Sequence, residues 1–271
     1  MRRFLSIWLF LCVSEALLGQ NPGDRMRLAP PIMELEQAIF EDSVVVKLHF
    51  GMEAAELEWK ADAGKWNTYE GRIVRKKSGR IWARSTAEGF EASEAVHCEV
   101  IKMGLPFDII SQSAASSKYP GRSLQDGLKA RNDFKDAQWM GFDLDTVRFR
   151  IKGRSGLKSV RLEFLEDRNS WIMAPEIVQV CVAEQNGRSV SGKCKRNNWK
   201  GSERKLNGKG GNPVDVSAHL DLPKIKVNKQ QDWELMIVPA TLPDGHPGAG
   251  KKAWIFMDEI LVYKDKIGAQ P

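Results

Sequence analysis

Histidine and tyrosine are scarce in this chain, with 4 His and 3 Tyr among 271 residues. The histidines stand far apart, at His49, His97, His219 and His246. That leaves little for a zinc site, which gathers several nitrogen or sulfur ligands. Charge of one sign is also missing overall, since 41 basic residues against 35 acidic ones leave +6. A surplus that small says little about nucleic acid, and no nucleic-acid motif is present, so no nucleic-acid partner is expected. Helical periodicity of useful length is absent from the first half, and no βαβ rhythm runs through the second. Beyond the first eighteen residues no apolar run is long enough to span a membrane, so no transmembrane anchor is expected.

What is present begins with a leader. Arg2 and Arg3 precede an apolar stretch from Phe4 to Leu18, followed by Gly19 and the polar run QNPGDR. This reads as a signal peptide over 1–19, cut after Gly19 or Gln20. The expected location is therefore exported, periplasmic or extracellular. Removing the leader leaves Cys98, Cys181 and Cys194, an odd number. Cys181 and Cys194 flank twelve residues with hairpin character, so either a disulfide staple or three separate buried thiols is open. His97 and Cys98 are adjacent in a predicted strand, where neighbouring side chains face opposite ways. They make a poor catalytic dyad.

The rest alternates at period two. SVVVKLHF, AAELEWKAD, GRIVR, SGRIWARST and EAVHCEVIKM are short strands bounded by Gly and polar turns, the pattern of a small β-sandwich. DTVRFRIKG, SVRLEFLED, EIVQVCVAE, WELMIVPA and WIFMDEILVYKD continue it over a further stretch, long enough for a jelly roll. Charge is concentrated between 186 and 230, where eleven Lys and Arg meet three acidic residues. That region is either a footprint for an anionic polymer or a solvated Gly/Lys/Asn loop; export and the missing nucleic-acid motif favour the loop.

A family likeness follows from PGRSLQDGL at Pro120, the Trp139–Met140–Gly141 run, WIMAP from Trp171, and DGHPGAGKKAWIFMDEILVY from Asp244. These resemble the discoidin-like, galactose-binding-like module behind the catalytic barrel of exported bacterial β-N-acetylhexosaminidase-like glycosidases. Residues 43–104 similarly resemble the fibronectin-III-like, chitobiase-associated domain that often precedes it. The expected fold is all-β: a lead-in at 20–42, a small immunoglobulin/fibronectin-III-like β-sandwich at 43–104, and a discoidin-like jelly-roll β-sandwich at 105–267. The chain departs from the pattern at RIKGRSG, 150–156, and in the Lys/Gly-rich stretch after Cys194. It is also too short to add a barrel of about 250 residues to both domains.

The resemblance implies a non-catalytic accessory or carbohydrate-binding protein, with a structural or protein–protein interaction module as the alternative. A glycoside hydrolase or an anionic-polymer binder is a more distant one. Sugar recognition needs flat aromatic faces and fixed polar groups. Trp139 and Trp199 lie in loop-like segments and are the expected exposed platforms, with Arg131, Asp136, Asn198 and Asp133 as polar partners; Trp171 and Trp254 are expected in the core. In discoidin-like modules the DG loop and an acid of the last strand hold a structural calcium ion. The matching positions are Asp126 and Glu259, with Asp133 as a third ligand, and no organic cofactor is expected. His246 reads as a turn residue. Hydrolysis would require two carboxyls across a cleft, but Asp258 and Glu259, adjacent in a strand, should face opposite sides, and Asp143 and Asp145 have no evident cleft.

Overall fold

The computed structural model describes residues 25–184, 189–197, 213–225 and 231–265. The leader, Asn198, Trp199 and most of the basic stretch lie outside the described residues. Within them the architecture is all-β, two pairs of sheets joined by a short connection.

Eight strands build the first pair: β1 (Ile32–Leu35), β2 (Ile39–Phe40), β3 (Val44–His49), β4 (Glu56–Ala61), β5 (Asn67–Thr68), β6 (Ile73–Arg75), β7 (Gly79–Thr86) and β8 (Val96–Lys102). One sheet runs β1-β3-β6 and the other β2-β8-β7-β4-β5. The alternation in VVVKLH has its physical outcome here: Val44, Val46 and Leu48 are buried, while Val45, Lys47 and His49 face water. They pack on Phe40, Ile81, Ala83 and Val100 of the facing sheet. The expected lead-in carries two strands of these sheets, β1 against β3 and β2 parallel to β8. His97 and Cys98 do face opposite ways. His97 stacks on Trp82 outside, while Cys98 packs on the core and burial pushes its thiol up to about 11.

Nine strands build the second pair: β9 (Ile109–Gln112), β10 (Met140–Phe142), β11 (Val147–Ile151), β12 (Ser159–Glu166), β13 (Ile177–Glu184), β14 (Ser189–Asn197), β15 (Val214–Asp221), β16 (Gln231–Val238) and β17 (Ile255–Tyr263). The sheets run β10-β17-β12-β15 and β14-β13-β16-β11-β9, with every pairing antiparallel. Cys181 stands opposite Cys194 in the β13–β14 ladder, and Cys181 is disulfide-bonded. That removes the reading of three separate thiols.

The central strands β12 and β17 are buried along nearly their whole length. One face, with Leu162, Phe164, Met257 and Ile260, forms the inter-sheet core. The other face is covered at one end by the 119–139 loop and at the other by the first pair of sheets. There Ile39 and Ile101 pack on Leu261, and Arg161 reaches Glu99 at 3.1 Å. The connection hugs β17 through Gly104, where a Cβ would sit 2.7 Å from the Val262 nitrogen. Leu105 N–H then donates to the Val262 carbonyl.

Candidate functional site

The 119–139 loop is where most sequence-expected site residues fall, and it is a structural lid. Trp139 is 1% exposed and packs with Ala130, Leu165, Ile172 and Phe256. Its indole N–H donates to the Arg131 carbonyl at 2.8 Å. It is therefore not an exposed platform. The covering loop folds back on the outer face of β12 and β17, and that apolar face draws the indole inward. Arg131 and Asp136 do come together with it, but as an ion pair at 2.9 Å within the same loop. Burial works to raise Asp136, yet Arg131 and two backbone N–H groups hold it below its usual value. Asn198 and Trp199 lie outside the described residues.

Beneath this loop lies a buried charge cluster that the sequence reading did not assemble. A register shift in the β12–β17 pairing brings Asp258 and Glu259 to one loop instead of opposite faces. Asp258 accepts from Ala130 N–H at 2.9 Å, and Glu259 accepts from Gly127 N–H at 2.5 Å. Lys129 reaches Glu163 at 3.2 Å, Asp258 at 3.2 Å and Asp215 at 3.4 Å. Arg161 pairs with Glu163 from the other side. Burial opposes charge on Lys129, but the three carboxylates outweigh it and hold the ammonium above its ordinary value. Burial likewise works to raise Glu163, and Arg161 with Lys129 reverses it. Asp215 has fewer opposing cations, so burial pushes it up to about 6. Glu259 also lines an open hollow of about 620 Å³ whose wall carries a second carboxyl, Glu41. Asp143 and Asp145 both turn to Lys252.

The calcium triplet is split. Asp126 lies against Glu259, and burial, with that facing carboxylate adding to it, pushes Glu259 up to about 8. Glu259 Oε2 and Gln138 Oε1 are buried acceptors without a partner, and Gln138 donates to Asp126 at 3.1 Å. Carboxylate and amide oxygens left without a donor are of the kind a hard cation takes. Asp133 does not join them; it is exposed and caps its own turn through Lys135 N–H at 3.0 Å. Among the described residues no three His, Cys, Asp or Glu side chains gather for a metal.

The aromatic hollow sits elsewhere, beside the start of β17. Trp171 and Trp254, expected in the core, are half-buried and line it with Tyr119, Phe134 and Phe256, enclosing about 220 Å³. Tyr119 meets Trp254 edge-on at 5.6 Å. The hollow is braced. Trp171 has φ 65° and ψ 21°, a left-handed conformation that a bulky residue adopts only when its surroundings impose it. Its carbonyl accepts from Trp254 N–H at 2.9 Å. His246, the expected turn residue, accepts from Gly248 N–H and donates to the Arg168 carbonyl, both at 3.0 Å, with its ring edge-on to Trp171. A Cβ at Gly248 would stand 2.9 Å from the indole, so glycine allows this close approach. Lys251 lies over the Trp171 ring at 5.6 Å. Period two in WIFMDEI does place Trp254 and Phe256 on one face and Ile255 and Met257 on the other. Both faces are apolar, so periodicity alone does not show which one lines a hollow.

No family model matches the chain, and no curated protein does. Among solved structures it is similar to the SusE-like protein BT2857, with 11% identity, 84% of this chain and 94% of that one covered, and a TM-score of 0.35. It is similar to a carbohydrate-binding module of the β-sandwich superfamily, with 11% identity, 87% and 98% covered, and a TM-score of 0.25. A third is the FN1–FN3 region of chicken CNTN1, at 8% identity, 79% and 62% covered, and a TM-score of 0.20. Scores this low carry no functional argument, and the likeness to hexosaminidase-associated domains rests on sequence motifs alone. Among the described residues no helix is long and apolar enough to cross a membrane.

Proposed function

We propose that this protein is a non-catalytic accessory module that holds a partner surface through a preformed aromatic hollow. The leader-like N-terminus supports placing it outside the cytoplasm. The observation that carries the reading is the braced Trp171. A strained, rigid indole beside Trp254 and Tyr119 offers apolar contact at little cost in ordering, the quality that concentrates binding energy in Trp and Tyr at interfaces. One specific occupant, a sugar ring, is favoured by size. At about 220 Å³ the hollow is smaller than the roughly 300–1,000 Å³ of sites for drug-sized ligands, and Lys118 and Ser170 at its rim supply polar groups.

Titrating a panel of neutral and N-acetylated oligosaccharides while following tryptophan fluorescence separates the two occupants. Saturable quenching that disappears in Trp171→Ala and Trp254→Ala supports the sugar. A panel with no response removes it and leaves a protein surface as the occupant.

We further infer a structural calcium ion between Asp126 and Glu259, supported by the two orphaned acceptor oxygens and the facing carboxylates. Calcium at about 100 times its dissociation constant should stabilise the fold by about 2.7 kcal/mol. The rise in melting temperature should vanish on chelation and in Glu259→Gln. A melting curve indifferent to millimolar calcium would exclude the ion.

A further inference from the structure

A separate hollow of about 410 Å³ lies at the seam between the two pairs of sheets. Its rim carries Lys76 and Lys77 from the turn after β6, Lys102 at the end of β8, and Lys264 just past β17. Among the described residues none of these four lysines is paired with a carboxylate. The lining holds one acidic residue, Asp265. Like charges so close raise the local potential, and facing walls of low dielectric concentrate it. Among the described residues of the lining Asp265 alone opposes these four charges, so the rim suits an anion.

The floor has a different chemistry. Met103, Leu105 and Tyr263 present apolar surface between the lysines. Its walls are tied: Tyr263 Oη donates to the Lys102 carbonyl at 3.0 Å, and Lys102 N–H donates to Ser78 Oγ at 2.9 Å. The hollow therefore exists before a ligand arrives, and it combines a cationic rim with an apolar base. An inorganic anion would use only the rim, and a neutral lipid or sugar only the base.

We propose that this seam hollow binds a small amphipathic anion, a carboxylate or sulfate head among the lysines with its apolar body on Met103 and Leu105. Lysine serves here as a point charge for the head, so binding should weaken as salt screens it. The site is independent of the aromatic hollow.

The test is calorimetry of the full chain with sub-micellar decanoate at low salt. Decanol, inorganic sulfate and decyltrimethylammonium serve as counter-probes. We expect one decanoate per chain, with at least tenfold weaker binding in a Lys76→Gln/Lys102→Gln double variant and a similar loss at 0.5 M salt. The substituted lysines are exposed, so melting temperature should be unchanged and the loss readable as binding. Trp171→Ala should bind decanoate as wild type does. The proposal is overturned by absent decanoate binding, by decanol binding equally well, by an unaffected double variant, or by many decanoates per chain. Association with phosphatidylglycerol vesicles without any response to free decanoate would likewise overturn it in favour of a membrane contact.

Discussion

Lys129→Met is expected to destabilise the fold by about 3–5 kcal/mol at pH 8, because it removes a cation shared by three carboxylates and leaves only Glu163 with another, Arg161. Glu163 and Asp258 have fully buried side chains, while that of Asp215 is 30% exposed. Lys129 itself is covered by the 119–139 loop, with Trp139 at 5.4 Å from its ammonium. Methionine matches the stem and removes only the charge, so the loss reports uncompensated buried acids and not a cavity. The cost should depend on pH with a definite sign. Burial raises Asp258 and pushes Asp215 up to about 6 even with the lysine present, and without it both rise further. A carboxyl whose folded value exceeds its unfolded one, near 4, holds a proton that the unfolded chain releases. Stability therefore falls as pH climbs from about 4 through the folded value. The variant should be closest to wild type near pH 5 and furthest from it near pH 8, by roughly 10 °C in melting temperature for a chain of this size. Equal losses at both pH values would mean that the lysine acts by packing alone.

That cluster also marks where the sequence stops being legible. Strands came through wherever one face is apolar and the other polar: the VVVKLH pattern of β3 and the VRFRI pattern of β11 map directly onto burial. β12 and β17 are buried on both faces, so period two does not reveal that Arg161, Glu163, Asp258 and Glu259 are internal. A single register shift between Glu163 and Phe164 defeats the parity rule that would send Asp258 and Glu259 to opposite sides. No local composition announces such a shift, since it is set by pairing with a strand about ninety residues away. Asp133 stands apart from Asp126 and Glu259 for a related reason. Asp126 is carried to Glu259 by the loop's path, and Asp133, a few residues further along that path, is turned outward.

The tryptophans give the sharpest separation of core from platform. Trp139→Ala should destabilise by about 3–5 kcal/mol, as expected for a fully buried indole replaced by a methyl group. It also orphans the Arg131 carbonyl that the indole N–H satisfies and unroofs Lys129. Its effect on sugar binding, measured well below the melting transition, should be small. Trp171→Ala should behave in the opposite way. The residue is half-buried, and its left-handed backbone is strained with or without the indole, so the stability loss should be about 1 kcal/mol. The same substitution removes the wall that Gly248, His246 and Lys251 brace, so fluorescence quenching by a bound sugar should be abolished. Measuring both variants by thermal melting and by titration places each indole independently of its sequence context. If Trp139→Ala lost binding while keeping its melting temperature, the covering loop would be the platform after all. If Trp171→Ala melted as far below wild type as Trp139→Ala, the aromatic hollow would be a core defect and not a binding site.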